Sequence, residues 1–258
     1  MLDYPGLRVV LTCSTGTDHL DVDGLRARGL TVRNTPTYCS DDVADHALAC
    51  VLAGWRGLWR LDRGVRAGRW DAGAVLRRFD AQRLGIVGLG RIGTALARRA
   101  LALGIEVVGH DPLAPPPAGV QELALEDLLA SSDAVSLHLP AVPGAPPILG
   151  TSQLALMKPD ALLVNLARAA LVDLDAMVDA LVGGRLGGAA WDVWPAEPPD
   201  ADDDRLLTPG LLVTPHVAWS SPQADAAGQL EAIEAIEAMR ACLLAQPVDC
   251  VRRPAGAA

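Results

Sequence analysis

At 258 residues, half of them apolar, the chain has the length for one large domain or two moderate ones around a packed core. Its formal net charge of −9 argues against nucleic acid or an anionic membrane surface as the main partner. The cysteines Cys13, Cys39, Cys50, Cys242 and Cys250 are odd in number, scattered and without a C-x-x-C pair, which fits reduced thiols in a cytoplasmic protein and neither a disulfide frame nor a zinc site.

The first five residues lack the basic start and apolar stretch of a signal peptide, and no uninterrupted apolar run reaches membrane-spanning length. Residues 8–12 read as a short strand and 14–18 as a turn; 22–28 have a helical pattern stopped by Gly29, and 30–33 form a second strand. Asp41 or Asp42 can cap a long helix running from Val43 to about Arg63. Next come a strand at 84–87, the turn Gly88-Leu89-Gly90-Arg91-Ile92-Gly93, a helix over 94–103, and a strand at 105–109 that ends in His110-Asp111. Further strands are expected at 134–139, 161–166, 188–192 and 211–214. Helices are expected at 153–157, 174–182 and 223–244, with a Pro/Gly-rich connection over 140–150. This alternation predicts an α/β protein with a doubly wound parallel sheet and helices on both faces. Arg91, Arg98 and Arg99 read as one helix's solvated face, and Glu231, Glu234 and Glu237 as another's. The acidic run 200–204 reads as a solvated turn rather than a calcium loop, no metal site is assigned, and residues 252–258 read as a frayed tail.

A short apolar run, a glycine turn and a helical pattern make a strand, a phosphate loop and a helix. The glycines let a pyrophosphate approach the backbone, where the helix N-terminus favours an anion. A lone G-x-G-x-x-G is common in ordinary turns. Here Asp111 follows roughly twenty residues on, where a carboxylate grips the ribose hydroxyls of NAD. No arginine follows it closely to welcome a 2'-phosphate, which favours NAD over NADP. Three later stretches carry the remaining chemistry: Val164-Asn165-Leu166-Ala167-Arg168, Trp191-Asp192-Val193-Trp194-Pro195-Ala196-Glu197-Pro198 and Thr214-Pro215-His216-Val217-Ala218-Trp219. An arginine can fork onto a carboxylate, and a histidine paired with a carboxylate can pass a proton near neutral pH. With a hydride carrier nearby, that is the equipment to interconvert a 2-keto acid and a 2-hydroxy acid.

The whole chain resembles the D-isomer-specific 2-hydroxyacid dehydrogenase family. The matching pieces run in family order: Gly16-Thr17-Asp18-His19-Leu20-Asp21, Asn34-Thr35-Pro36, Val43-Ala44-Asp45-His46-Ala47, the Gly88 loop, Met157-Lys158-Pro159, residues 165–173, 192–198 and 215–219. The resemblance implies a Rossmann-type NAD-binding domain over 42–223 and a smaller flavodoxin-like substrate domain from 1–41 with 224–258. It implies that Arg168 binds the substrate carboxylate and carbonyl, that His216 is the acid/base, and that Glu197 pairs with it and favours its charged form. Ser14, Thr15, Gly16 and Trp219 join Arg168 as substrate residues. Cofactor contacts are implied for Thr15, Gly88, Gly90, Arg91, Ile92, Gly93, Asp111, Leu139, Leu166, Ala167, Asp192, His216 and Ala218, with Asp192 meeting the nicotinamide carboxamide. The partners implied are a small 2-keto or 2-hydroxy acid and a second copy of the chain, the helix from Val43 being where relatives form dimers.

Singly, Arg168 also reads as a structural ion-pair partner, His216 as a capped core histidine and Glu197 as a loop carboxylate; their joint occurrence in family order decides for the site. His19, His46, His110 and His138 lack such company and read as structural, and for Trp219 a buried packing role stands beside the pocket one. The resemblance also brings departures. Glu197 stands where formate dehydrogenases carry an amide, Thr15 where phosphite-oxidising relatives place a lysine, and Ala169 where a glycine is usual. Relatives begin roughly fifty residues earlier, so the smaller domain is expected to be an incomplete sheet with an uncovered edge and exposed apolar surface. A start assigned too late, a compact variant and a degenerate protein account for this in that order. A non-catalytic NAD-sensing scaffold or corepressor-like protein is the alternative function.

Overall fold

The computed structural model describes residues 6–245, with side chains through residue 240. The first five residues, the Cys242 side chain, Cys250 and the tail read as frayed lie outside the described residues. Two compact units divide the chain, one of Met1–Cys39 with Ser220–Ala258 and one of Ser40–Trp219.

The first unit begins with β1 (Val9–Thr12), α1 (Val22–Ala27) and β2 (Thr31–Asn34). Asp21 caps α1 by accepting from Gly24 N at 2.9 Å. Gly29, at φ +78°, turns the chain out of the helix, a conformation glycine adopts without a Cβ penalty. β1 and β2 are parallel, Val9 opposite Thr31, and two strands complete this sheet among the described residues.

The second unit opens with α2 (Ser40–Trp55), whose buried positions Val43, Ala44, Ala47, Cys50, Val51 and Trp55 form one apolar stripe. The expected single helix from Val43 to about Arg63 is in fact two. α2 starts earlier, with Asp41 and Asp42 in its first turn, and the path breaks at Gly57, which takes φ +60° before α3 (Leu58–Arg66) begins. Both flanks of Gly57 read as helical, so the pattern runs across a joint that only the backbone angle reveals.

β3 (Arg83–Val87), α4 (Arg91–Ala102) and β4 (Glu106–His110) form the first strand–helix–strand unit. β5 (Gln121–Glu122), α5 (Leu125–Ser131), β6 (Ala134–Leu137), α6 (Thr151–Leu154) and β7 (Leu162–Asn165) follow. α7 (Leu174–Val182), β8 (Gly188–Trp191) and β9 (Leu211–Val213) complete the unit, after which α8 (Pro222–Ala245) returns to the first one. All seven strands are parallel, in the order β5-β4-β3-β6-β7-β8-β9. β5 and α5 escaped the sequence reading: one is two polar residues long, the other a seven-residue helix without a side-chain cap.

Helices cover both faces. The space beside Gly85 is filled by Leu128 of α5 and its cap residue Ser132, whereas Gly93 of α4 packs against the neighbouring strand residue Ile86. Successive strand residues point to opposite faces. β7 is buried along its whole length, and full burial of a side chain such as Leu163 is worth roughly 1.5–3 kcal/mol. On the other face Arg99 of α4 bridges Asp41 and Asp45 of α2 at 2.8 and 2.6 Å. It is therefore a helix–helix tie rather than part of a solvated face, while Arg91 and Arg98 are exposed as expected. β3 lies between β4 and β6, so the strand order reverses there, and a crevice for ligand opens at the carboxyl ends of such strands.

Candidate active site

The Gly88 loop leaves β3 at that reversal. Gly88 has φ +95°, and a Cβ there would strike the carbonyl of His138 at the end of β6. A Cβ on Gly93 would strike the carbonyl oxygen of Gly88, so α4 and β3 approach each other only because residue 93 is bare. Gly90 differs, since a Cβ there would meet nothing within 4 Å. It caps the twelve-residue α4, and open space lies before a helix N-terminus that favours anions. The chain's own residues therefore fit a dinucleotide: two glycines are demanded by the protein, and the third leaves room for a pyrophosphate.

Asp111 ends β4 and organises this loop. Its carboxylate accepts from Leu89 N at 2.7 Å, from Leu113 N at 2.8 Å and from Ala114 N at 3.2 Å. Pro112, Leu113 and Ala114 follow it without a cation. His138, behind the loop, is partly buried with Nε2 at 2.9 Å from Ser136 Oγ, and burial pushes its pKa down to about 4.

The other expected residues collect at the carboxyl ends of β7, β8 and β9. Asn165, buried at the end of β7, donates to Arg168 O at 2.9 Å and accepts from Ala167 N at 3.2 Å, which shapes the turn presenting Arg168. The carbonyl of Asn165 accepts from Asp192 N at 3.2 Å. Asp192, 1% exposed, in turn accepts from Thr214 Oγ1 at 2.5 Å, Val217 N at 3.0 Å and Ala218 N at 2.9 Å. Inside that span lies His216, whose Nδ1 is 2.6 Å from Glu197 Oε2. Glu197 is steadied through Oε1 by Trp194 N at 2.8 Å, and the Trp219 indole N–H donates to His216 O at 2.9 Å. Burial, and then the charge of Asp192, pushes the thiol of Cys50 on α2 up to about 12, so it stays neutral behind the site.

The acidic run 200–204 is not merely solvated. Asp203 holds Arg205 through two bonds at 2.8 Å and accepts from Trp194 Nε1 at 3.2 Å, while Arg205 reaches Asp175 of α7 at 2.9 Å. The Arg205 guanidinium keeps the Asp203 carboxyl well below the usual carboxylate range. This ties the loop carrying Glu197 to α7. Glu231 likewise is bonded, by Thr37 N and Oγ1 at 3.3 and 3.1 Å, whereas Glu234 and Glu237 are exposed.

Arg168, Asp192 and His216 thus follow the neighbouring strands β7, β8 and β9, with Glu197 bonded to His216, and Leu139, Leu166 and Ala167 follow β6 and β7. Ser14, Thr15 and Gly16 belong to the first unit. There Ser14 Oγ donates to Gly16 O at 2.7 Å, Asn34 Nδ2 donates to Thr15 O at 2.7 Å, and Thr15 Oγ1 is 3.2 Å from Cys39 Sγ. Asn165 and Thr214 are the residues whose part the sequence reading missed. Their signal is a polar side chain ending an otherwise apolar strand.

The family model described as D-isomer specific 2-hydroxyacid dehydrogenase, NAD binding domain, matches residues 48–218. Glycerate dehydrogenase of Methylorubrum extorquens is 35% identical over 258 residues, covering 96% of this chain and 79% of that protein. D-3-phosphoglycerate dehydrogenase of Mycobacterium tuberculosis is 38% identical over 87% of this chain, which spans only 43% of that protein's length. Among solved structures, D-lactate dehydrogenase from Aquifex aeolicus, complexed with NAD and lactic acid, superimposes with a TM-score of 0.84 at 28% identity, covering 94% of this chain and 79% of that one.

Proposed function

Because this chain belongs to the D-isomer-specific 2-hydroxyacid dehydrogenase family, we propose that it interconverts a D-2-hydroxy acid and its 2-keto acid with NAD(H) as the hydride carrier. The observation that carries this reading is the His216–Glu197 pair at 2.6 Å, held on strand ends beside a seat fit for a dinucleotide.

A bound nicotinamide supplies the hydride. With Nδ1–H donating to Glu197, His216 presents Nε2 outward, and in its cationic form that nitrogen gives its proton to the keto oxygen as the neighbouring carbon takes the hydride. Arg168 forks onto the substrate carboxylate and draws charge from the carbonyl oxygen. In the oxidation direction His216 Nε2 receives the hydroxyl proton. Gly88, Gly90, Arg91, Ile92 and Gly93 hold the pyrophosphate, and Asp111 the ribose. Asp192, Leu139, Leu166, Ala167 and Ala218 complete the cofactor set. The parts proposed for Ser14, Thr15 and Gly16 rest on the resemblance alone. The uncharged residues after Asp111 support NAD over NADP, tested by comparing NADH and NADPH dissociation constants.

NADH oxidation with glyoxylate, hydroxypyruvate and phosphohydroxypyruvate tests the activity. Turnover with one of them is expected, and His216→Gln should lower kcat by on the order of 10²–10⁴ while NADH still binds. Tight NADH binding without turnover of any 2-keto acid would overturn the reading in favour of a non-catalytic scaffold. We also propose a homodimer, supported by Trp70 and Val75, which are 82% and 95% exposed beyond α3; a monomeric mass by light scattering would refute it.

A further inference from the structure

His216 is the one non-glycine residue at positive φ among the described residues, at +54°. A bulky side chain in this left-handed region is strained, and it persists only where its surroundings over-determine it. The surroundings do so here. Before the turn, Thr214 Oγ1 donates to Asp192 Oδ1 at 2.5 Å; after it, Val217 N and Ala218 N donate to Oδ1 and Oδ2 at 3.0 and 2.9 Å. The Trp219 indole N–H holds the carbonyl of His216 itself at 2.9 Å. Two consecutive amides and a hydroxyl demand a group that only accepts, which an ionised carboxylate is and an amide is not.

We infer that Asp192 and Trp219 are positioning residues for His216, a two-sided clamp that fixes the strained turn so that Nδ1 meets Glu197 and Nε2 faces substrate. The clamp rests on the acid/base reading of His216 and gives Asp192 a part in the reaction beyond the nicotinamide contact: it acts through the histidine. Losing it displaces a proton donor that must be in place to within a fraction of an ångström.

Three variants beside the wild-type enzyme test this. Asp192→Asn puts an N–H against N–H donors; kcat should fall on the order of 10²-fold, much further than NADH affinity falls. Trp219→Phe keeps a ring and loses one hydrogen bond, lowering kcat by about fivefold with substrate KM little changed. Thr214→Val removes one of the three donors to Asp192 and should lower kcat less than Asp192→Asn does. Wild-type kcat in Asp192→Asn, or NADH affinity falling as far as kcat, overturns the clamp. His216→Gln in the same assay separates the two readings, because turnover surviving there refutes the acid/base role itself. A crystal structure of Asp192→Asn decides the matter without turnover: His216 still at positive φ and bonded to Glu197 overturns the clamp, and a turn relaxed to negative φ supports it. Should Asp192→Asn fail to fold, Trp219→Phe, at a side chain 36% exposed, carries the test.

Discussion

Where the Gly88 loop takes its shape from side chains that are missing, the His216 turn takes its shape from side chains that grip. Close packing against the protein's own carbonyls admits no Cβ at residues 88 and 93, and residue 90 leaves space for a pyrophosphate. At the other end Glu197 bonds the His216 ring and Asp192 the two main-chain amides that follow it, as the proposed proton donor needs a fixed address. Both ends nevertheless rely on an aspartate that closes a strand and accepts three donors, Asp111 at one and Asp192 at the other. They differ in solvent: Asp111 is partly exposed, while Asp192 is buried. The histidines differ the other way, since burial depresses the pKa of His138 beneath the glycine loop while His216 keeps a half-exposed side chain.

That reversal predicts the largest effect. The unfolded chain protonates a histidine at its ordinary 6.5, whereas folded His138 resists until about 4. Its contribution is fully present above the first value and is lost as pH falls towards the second, by roughly 3 kcal/mol in all. Urea unfolding across that window should show the loss in the wild type and a flatter profile in His138→Gln; equal slopes would remove His138 from the contrast. Next, Gly93→Ala drives a Cβ into a backbone carbonyl that cannot yield, costing about 2 kcal/mol and melting several degrees lower. Asp111→Asn should cost about 1 kcal/mol, half-solvated as it is, and weaken NADH binding. Smallest is Gly90→Ala, which should leave stability within about 0.5 kcal/mol and lower only NADH affinity. If Gly90→Ala and Gly93→Ala melt alike, the distinction between a bare loop and a packed one is wrong.

The same contrast governs what could be read from the chain. The glycine loop was legible because its requirement is local: strand, glycines and helix are contiguous, and every strand beside the site was found within a few residues. The pairing of Glu197 with His216 was legible from a recognised order, and the structure brings the two within 2.6 Å. What Asp192 does was not, since its donors lie 22–26 residues downstream and meet it only once β8 and β9 pair. The break at Gly57 was hidden because sequence periodicity is blind to one residue's φ. Asp203 and Arg205 were hidden because a charge run shows its sign but not its partners. Arg99 misled for the opposite reason: from α4 alone it is a surface cation, and α2 supplies the two carboxylates.

The left-handed turn at His216 also sets an upper limit on how stable this protein can be while it works. Asparagine is at ease at positive φ, and the exposed pairing with Glu197 that it would forfeit contributes little to folding. His216→Asn should therefore melt higher than the wild type and, on the proposed acid/base role, lose turnover as far as His216→Gln does. If His216 is the acid/base proposed above, its chemistry is held at this position against the backbone preference of the fold.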